Sequence, residues 1–134
     1  MKVFLFIIFS GITTFGFLNI NTQDKFQESI TRGQEVYTDF CINCHMADGA
    51  GVEKTFPPLA ASDYLKDKRE ASIKGIKYGQ KGEITVNGVT YNGYMAPMGL
   101  DDAEIADVMN YINNNWGNTN NKIVTEEEVA AIKK

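Results

Sequence analysis

The spacing of apolar side chains along this chain predicts a mainly helical domain. From about residue 27 to residue 40, apolar and aromatic side chains recur at helix-like spacing. They are Phe26, Ile30, Val36, Tyr37 and Phe40. Gly33 lies inside this stretch, where a glycine costs a helix about 1 kcal/mol relative to alanine, so we expect it to serve a close contact.

Residues 62–79 predict a second helix, which begins at the capping residue Ser62 and ends at Gly79. Between the two helices, residues 46–60 predict a loop, because glycines punctuate it and Pro57-Pro58 excludes a helix. After the second helix, polar and apolar residues alternate around Asn87-Gly88. This alternation predicts a short β-hairpin near residues 84–91, since Asn-Gly favours a two-residue hairpin turn.

The last clear helix is predicted to open at Asp101, with Glu104 three residues later in the arrangement of a capping box. Its apolar stripe consists of Ile105, Val108, Met109 and Ile112. Thr125 and Glu128 repeat the capping pattern and predict a short terminal helix that bears Val129 and Ile132.

Residues 1–22 indicate an export segment. Lys2 precedes an almost unbroken apolar run over residues 3–18, and polar residues follow from Asn19. The segment has no A-x-A cleavage pattern, and its apolar run approaches the roughly 17 residues that span a bilayer. Both a cleaved signal peptide and a retained membrane anchor through residues 3–18 therefore stay open, and either places the functional domain outside the cytoplasm.

About 110 residues remain after this segment, which suits one small domain. The net charge of −4 argues against nucleic acid as a partner. Cations concentrate between residues 66 and 81, whereas acidic residues open the last helix and crowd residues 126–128. Such runs are consistent with solvated faces or with a charge dipole that speeds docking to a redox partner.

The segment CINCH, residues 41–45, holds both cysteines of the chain and its only histidine. This spacing is typical of c-type haem attachment. Thiols three residues apart share one face of a helical turn, so Cys41 and Cys44 can both reach the vinyl groups of one porphyrin. His45 then follows directly as a ligand for the iron.

Two other chemistries fit the cluster less well. A thioredoxin-like C-x-x-C motif belongs beside a βαβ pattern, which the sequence around Cys41 does not have. A structural zinc site takes four ligands, and the chain offers three thiol or imidazole groups.

From about Ser29 to Asn118, the chain resembles the class I, mitochondrial-type c-type cytochromes, and in particular the exported single-haem domains of bacteria. Gly33 and Tyr37 stand eight and four residues before Cys41, as a small and an aromatic residue do in that family. The remaining matches are CINCH itself, FPPLAASDYL at 56–65, and YNGYMAPMGLDDAEIADVMNYI at 91–112.

The resemblance implies one covalently attached haem c, with His45 and Met95 as the axial ligands of the iron. Met95 stands five residues before Leu100, at the family's Met-x-x-x-Gly-Leu spacing. The chain departs from the family at Ala96, where relatives have proline, and at Met98, a second thioether that stays open as an alternative ligand. By the same resemblance, the carbonyl of Pro57 accepts a hydrogen bond from the ligating imidazole. Residues expected to line the haem pocket are Pro57, Leu59, Tyr91 and Tyr94.

The resulting fold prediction is all-α, a small cytochrome c fold with three to five helices around one covalently bound haem and a hairpin near 84–91. Residues 1–22 form the signal peptide or anchor, 23–118 the cytochrome c domain, and 119–134 a C-terminal extension. A His/Met-ligated iron has no open position, which predicts an electron carrier rather than an enzyme.

The expected location is the periplasm or another exported setting, and the expected partners are an oxidase, a dehydrogenase or a reductase. Three alternatives stay open: an electron-transfer subunit fixed in an oxidoreductase complex through residues 119–134, a haem enzyme or gas sensor with an open sixth position, and a haem-free thiol-disulfide protein.

Covalent attachment predicts that haem stays with the polypeptide through acid–acetone extraction and on a denaturing gel stained for haem. Replacing both cysteines, Cys41→Ala with Cys44→Ala, should give a poorly folded chain without stain, because no thioether can form. Retention of haem by this double variant after denaturation would contradict the attachment site.

Overall fold

The structure is a computed structural model that describes residues 23–134. The predicted signal peptide or anchor, residues 1–22, lies outside the described residues. Among residues 23–134, no helix combines the length and the apolar character needed to cross a bilayer.

Helices dominate the described chain, and the predicted all-α class with a short hairpin is confirmed. The first helix, α1, covers residues 23–40 of the described part. The elements that follow are α2 (Ile42–His45), α3 (Asp63–Asp67), α4 (Arg69–Tyr78), β1 (Gln80–Val86), β2 (Val89–Met95), α5 (Asp102–Ile112) and α6 (Glu126–Ala131).

The structure divides the helix predicted over residues 62–79 into two. Ser62 caps α3, since its side chain accepts a hydrogen bond from the backbone N–H of Leu65. Lys68 then leaves the helical region, with φ −125° and ψ 47°, so α4 starts in a new direction at Arg69. The hairpin is longer than predicted and spans both strands from Gln80 to Met95 around the Asn87-Gly88 turn.

Helices α1 and α5 cross at Gly33. A Cβ atom at this position would collide with the backbone carbonyl of Asp107 and lie 2.8 Å from Cβ of Tyr111. The close contact expected of Gly33 is therefore present, and it lies mainly on the backbone of α5. Next to the crossing, Tyr37, Tyr111 and Trp116 pack as an aromatic cluster with ring centroids 4.9–5.5 Å apart.

A buried polar network holds the same two helices together. Ser29 Oγ donates to Oδ1 of Asp107 at 2.6 Å, and Arg32 forms an ion pair with the same carboxylate. The side-chain amide of Asn110 donates to Ser29 Oγ at 2.9 Å. Each buried polar group in this network thus has a partner, as burial requires.

Residues 119–134 pack against the rest of the domain. Asn110 bonds the backbone of Val124 twice, donating to its carbonyl at 2.9 Å and accepting from its N–H at 2.7 Å. Three apolar side chains of this segment belong to the main core: Val124, Val129 and Ile132. The boundary at residue 118 stays a prediction, although the segment beyond it shares the core of the domain.

Polar contacts to α4 fasten the same segment. The guanidinium of Arg69 binds both carboxylate oxygens of Glu128 at 2.7 Å, and Lys77 donates to the carbonyl of Val129 at 2.8 Å. Tyr78 donates its hydroxyl to the carbonyl of Ile132 at 2.9 Å. Arg69 also donates to the carbonyls of Lys122 and Ile123. Residues 119–134 therefore brace α4 against α5.

Asn110→Ala should lower the free energy of unfolding by about 2–3 kcal/mol, because it leaves the buried backbone groups of Val124 without partners. Denaturant unfolding of the haem-loaded protein measures this loss. Asn114→Ala is the matched control, since that amide makes one bond, to the carbonyl of Asn110. Equal losses in the two variants would contradict the bracing role of Asn110.

Candidate haem site

One apolar cavity of about 420 Å³ brings the predicted site residues together. This volume lies within the range of about 300–1,000 Å³ that is usual for ligand pockets. Its wall includes Cys41, Cys44 and His45 on one part of the chain, and Met95 and Met98 on another.

Cys41 stands at the turn that joins α1 to α2, and Cys44 lies in α2. The backbone N–H of Cys41 still bonds the carbonyl of Tyr37 at 2.9 Å, and that of His45 bonds the carbonyl of Cys41 at 3.0 Å. Neither cysteine is in a disulfide. Burial is the main cause that raises the pKa of the Cys41 thiol to about 11. A thiol-disulfide enzyme needs the opposite, a thiol with a lowered pKa, so the thiol-disulfide alternative is disfavoured.

The His45 ring is oriented by one hydrogen bond. Its Nδ1 lies 3.0 Å from the carbonyl oxygen of Pro57, which can only accept, so Nδ1 carries the proton and Nε2 has a free lone pair. Burial lowers the pKa of His45, against the smaller opposing effect of the Pro57 carbonyl. The imidazole is therefore held neutral, which is the form that binds metals.

Two glycines that the sequence interpretation did not assign to the site shape the loop that carries Pro57. At Gly51, φ is +64°, and a Cβ atom would meet the carbonyl of Phe56 and lie 2.8 Å from that of Pro57. At Gly49, φ is +68°, and a Cβ atom would press into the ring of Trp116. Positive φ favours glycine at both positions. The sequence signal was the Asp-Gly-Ala-Gly spacing just after His45, which was interpreted only as loop punctuation.

Tyr37 links α1 to the residue that follows the histidine. Its hydroxyl donates to the carbonyl of Met46 at 2.7 Å. Burial of the ring raises the pKa of Tyr37, so its hydroxyl stays protonated as a donor. The carbonyl of Met46 and the ring of His45 are thus positioned from two sides, by α1 and by the Pro57 loop.

Met95 is the last residue of β2 and pairs with Gln80, the first residue of β1. Met98 lies three residues later in the irregular segment before α5, and both methionines line the cavity. Because both methionines line the cavity, the assignment of Met95 as the sixth ligand stays a prediction.

All four residues expected in the pocket line the cavity. Tyr91 is buried, at 5% exposure, whereas Tyr94 is 69% exposed and stands at the opening. The wall also contains residues of α3, α4 and the hairpin that the sequence interpretation did not assign to it. Examples are Tyr64, Ala71, Ser72, Gly75, Ile84 and Val86.

Two cations of the predicted charge dipole form ion pairs with carboxylates of the same chain. Arg69 pairs with Glu128, and Lys77 pairs with Asp102 at 2.8 Å. The cations of the same run that remain exposed are Lys66, Lys68, Lys74 and Lys81. The steering charge left for a partner is therefore smaller than the sequence suggests.

The donor set fits a c-type haem. Two thiols adjoin an imidazole with a free Nε2, two thioethers lie on the same cavity, and the wall is mainly apolar. These soft sulfur and imidazole donors are the groups that hold haem iron in electron-transfer proteins.

Comparisons with known proteins agree with this fit. The family model described as cytochrome c matches residues 30–116. Cytochrome c-552 of Thermus thermophilus is 37% identical over 110 residues, which cover 75% of this chain and 83% of that protein. The cytochrome c subunit of the quinone alcohol dehydrogenase of Gluconobacter oxydans is 29% identical over 110 residues, which cover 75% of this chain and 22% of that subunit. The cytochrome c subunit of gluconate 2-dehydrogenase from Pantoea cypripedii is 28% identical over 109 residues, with coverages of 76% and 24%.

Proposed function

Because this chain belongs to the cytochrome c family, whose members carry electrons on covalently bound haem c, we propose that it transfers electrons outside the cytoplasm through an iron ligated by His45 and Met95. The predicted resemblance and the small cytochrome c fold are thereby confirmed. The ligands, the attachment through Cys41 and Cys44, and the exported location are the proposed part.

The hydrogen bond from Nδ1 of His45 to the Pro57 carbonyl carries the proposal for the first axial ligand. It fixes the tautomer and leaves Nε2 as the ring nitrogen available to the iron. The same hydrogen bond raises the basicity of the ring, since the carbonyl attracts the proton on Nδ1 and so leaves more electron density on Nε2. Bound haem would supply a one-electron couple, and His45 and Met95, by both holding its iron, would leave no open position for a substrate.

Met95 is the better candidate for the second axial ligand. Its backbone is held by the last pair of the hairpin, Gln80 with Met95. Met98 lies between Pro97 and Gly99, outside the ladder, and Gly99 has φ +77°. Ligands on regular elements are placed more accurately than ligands on loops, which favours Met95. A thioether at this position raises the reduction potential.

Met95→Ala should abolish the weak far-red absorption band that marks a sulfur-to-iron bond in the oxidised protein. Met98→Ala should keep that band, because Met98 is proposed to be a neighbour in the wall. The first variant should also bind carbon monoxide, since it opens the sixth position, and its potential should fall. Absorption spectra and redox titrations of both variants, with the double variant beside them, measure these effects. Loss of the band in Met98→Ala alone would reassign the ligand.

The exposed rim of the cavity is the proposed point of electron exchange. Among residues 23–134, the large hydrophobic side chains that stand exposed are Phe40, Val52 and Tyr94. Phe40 and Tyr94 both border the cavity, and Cys44 is exposed beside them. An apolar rim of this kind suits brief contact with the redox partners expected for this chain, a dehydrogenase, oxidase or reductase.

A mobile carrier is favoured over a subunit fixed through residues 119–134. Its large apolar side chains Val124, Val129 and Ile132 are buried in the chain's own core and are not available to hold a partner. The match also covers most of the Thermus cytochrome c-552 but about a fifth of the dehydrogenase subunit.

A negative charge on the rim should slow electron self-exchange between oxidised and reduced copies, because two rims then repel each other on contact. We expect Phe40→Glu and Tyr94→Glu each to reduce the rate by about tenfold or more at low salt, with partial recovery at high salt. Line broadening in NMR spectra of mixed oxidation states measures this rate. Ala130→Glu, at an exposed position of α6, is the matched control. An equal effect of Ala130→Glu would place the exchange surface elsewhere.

A further inference from the structure

Met46, the residue directly after His45, has a strained backbone. Its φ is 64° and its ψ is 163°, a combination that is found almost only at glycine, because a Cβ atom crowds the backbone there. A residue other than glycine keeps such a conformation only where the surrounding contacts impose it, and such residues are concentrated at functional sites. The position of Met46 beside the proposed axial histidine therefore calls for a physical reason.

Hydrogen bonds on both sides of Met46 impose this conformation. Its N–H donates to the carbonyl of Ile42 at 2.9 Å, and its own carbonyl accepts from the N–H of Gly49 at 3.2 Å. Both of these partners lie within four positions along the chain. The same carbonyl also accepts from the hydroxyl of Tyr37 at 2.7 Å, and Tyr37 belongs to a different helix, α1. Because Tyr37 is 2% exposed and its ring packs in the aromatic cluster, its hydroxyl has a fixed place.

The chain returns to His45 after Met46. The N–H of Gly51 donates to the backbone carbonyl of His45 at 3.1 Å, and the carbonyl of Pro57 lies 3.0 Å from Nδ1 of its ring. Both contacts come from residues beyond Met46, so the path of the loop beneath the imidazole depends on the φ and ψ of Met46. A change of conformation at Met46 would move the Pro57 carbonyl relative to the ring.

We propose that Tyr37 is a positioning residue for His45, because its hydroxyl holds Met46 in the strained conformation that brings the Pro57 carbonyl to Nδ1. This role rests on the proposed ligation of the iron by His45. Without the hydroxyl, the strain at Met46 works against this path of the loop, and the hydrogen bond between Nδ1 and Pro57 should weaken. Glycine adopts the same φ and ψ without strain, so glycine at position 46 should make the hydroxyl dispensable.

Tyr37→Phe in the haem-loaded protein should speed the exchange of the Nδ1 proton of His45 by about three- to tenfold, since losing one hydrogen bond raises the population of opened forms by about that factor. NMR spectra of the reduced protein measure this exchange. The reduction potential should rise, because a less basic imidazole stabilises oxidised iron less. Tyr111→Phe is the matched control: it removes another hydroxyl of the aromatic cluster and leaves the bond from Tyr37 to Met46 in place. Both quantities should keep their wild-type values in that variant.

A second substitution at position 46 separates backbone strain from the loss of a contact. Tyr37→Phe combined with Met46→Gly should restore the wild-type exchange rate and potential. Tyr37→Phe combined with Met46→Ala should not restore them, because alanine keeps the Cβ atom that causes the strain. If Tyr37→Phe loads little haem, the same pair is compared by the amount of haem that stays with the denatured chain.

Three results would overturn this role of Tyr37 while His45 remains the ligand. They are unchanged exchange in Tyr37→Phe, an equal effect of Tyr111→Phe, and equal results with glycine and alanine at position 46. A wild-type protein in which the ring signals of His45 lack the large shifts of an iron-bound imidazole would overturn the proposed ligation, and the role of Tyr37 with it.

Discussion

The crossing of α1 over α5 at Gly33 is the contact on which the geometry of the site depends. Any side chain at this position would meet the backbone carbonyl of Asp107, so the two helices pack this closely only around glycine. Since α1 leads directly into Cys41 and α2, the crossing also determines where both thiols and His45 lie. The hydrogen bond from Tyr37 to the carbonyl of Met46 extends this control past the histidine.

The cavity is an incomplete core. Protein interiors pack with few voids, yet here about 420 Å³ remain beside the fully buried Met109 and its neighbour Ile112. Haem c is covalently bound in this family, and at this cavity it would complete the core that the side chains leave open. Binding and folding are therefore linked, because a group that binds only the folded chain stabilises it. Residues 119–134 contribute indirectly, since they bond to α4 and α5, and both of these helices supply residues to the cavity wall.

Charge and apolar surface have separate roles in this molecule. The best-placed cations, Arg69 and Lys77, pair with carboxylates of the same chain and donate to backbone carbonyls, so they hold the C-terminal segment. The rim of the cavity instead carries Phe40 and Tyr94. Weak, mainly apolar contact suits a carrier that must both meet and leave its partners, whereas strong ion pairing would prolong each complex.

Local chemistry could be predicted from the sequence, and long-range packing could not. The CINCH turn, the Asn87-Gly88 hairpin and the capping box at Asp101 depend on residues within four positions of each other, so their patterns identify them. The carbonyl of Pro57 came from family resemblance, and the structure places it 3.0 Å from Nδ1 of His45.

Contacts between distant residues needed the tertiary structure. Asp107 pairs with Arg32, which lies 75 positions earlier in the chain. Asn110 forms hydrogen bonds with the backbone of Val124, and no sequence motif marks Asn110 or Val124. The break at Lys68 also had no signal of its own, and the Asp-Gly-Ala-Gly spacing indicated a loop without showing that Gly51 meets the carbonyls of Phe56 and Pro57. In each case the partner is brought close by the fold, and a single sequence records which residues are present but not which distant ones meet.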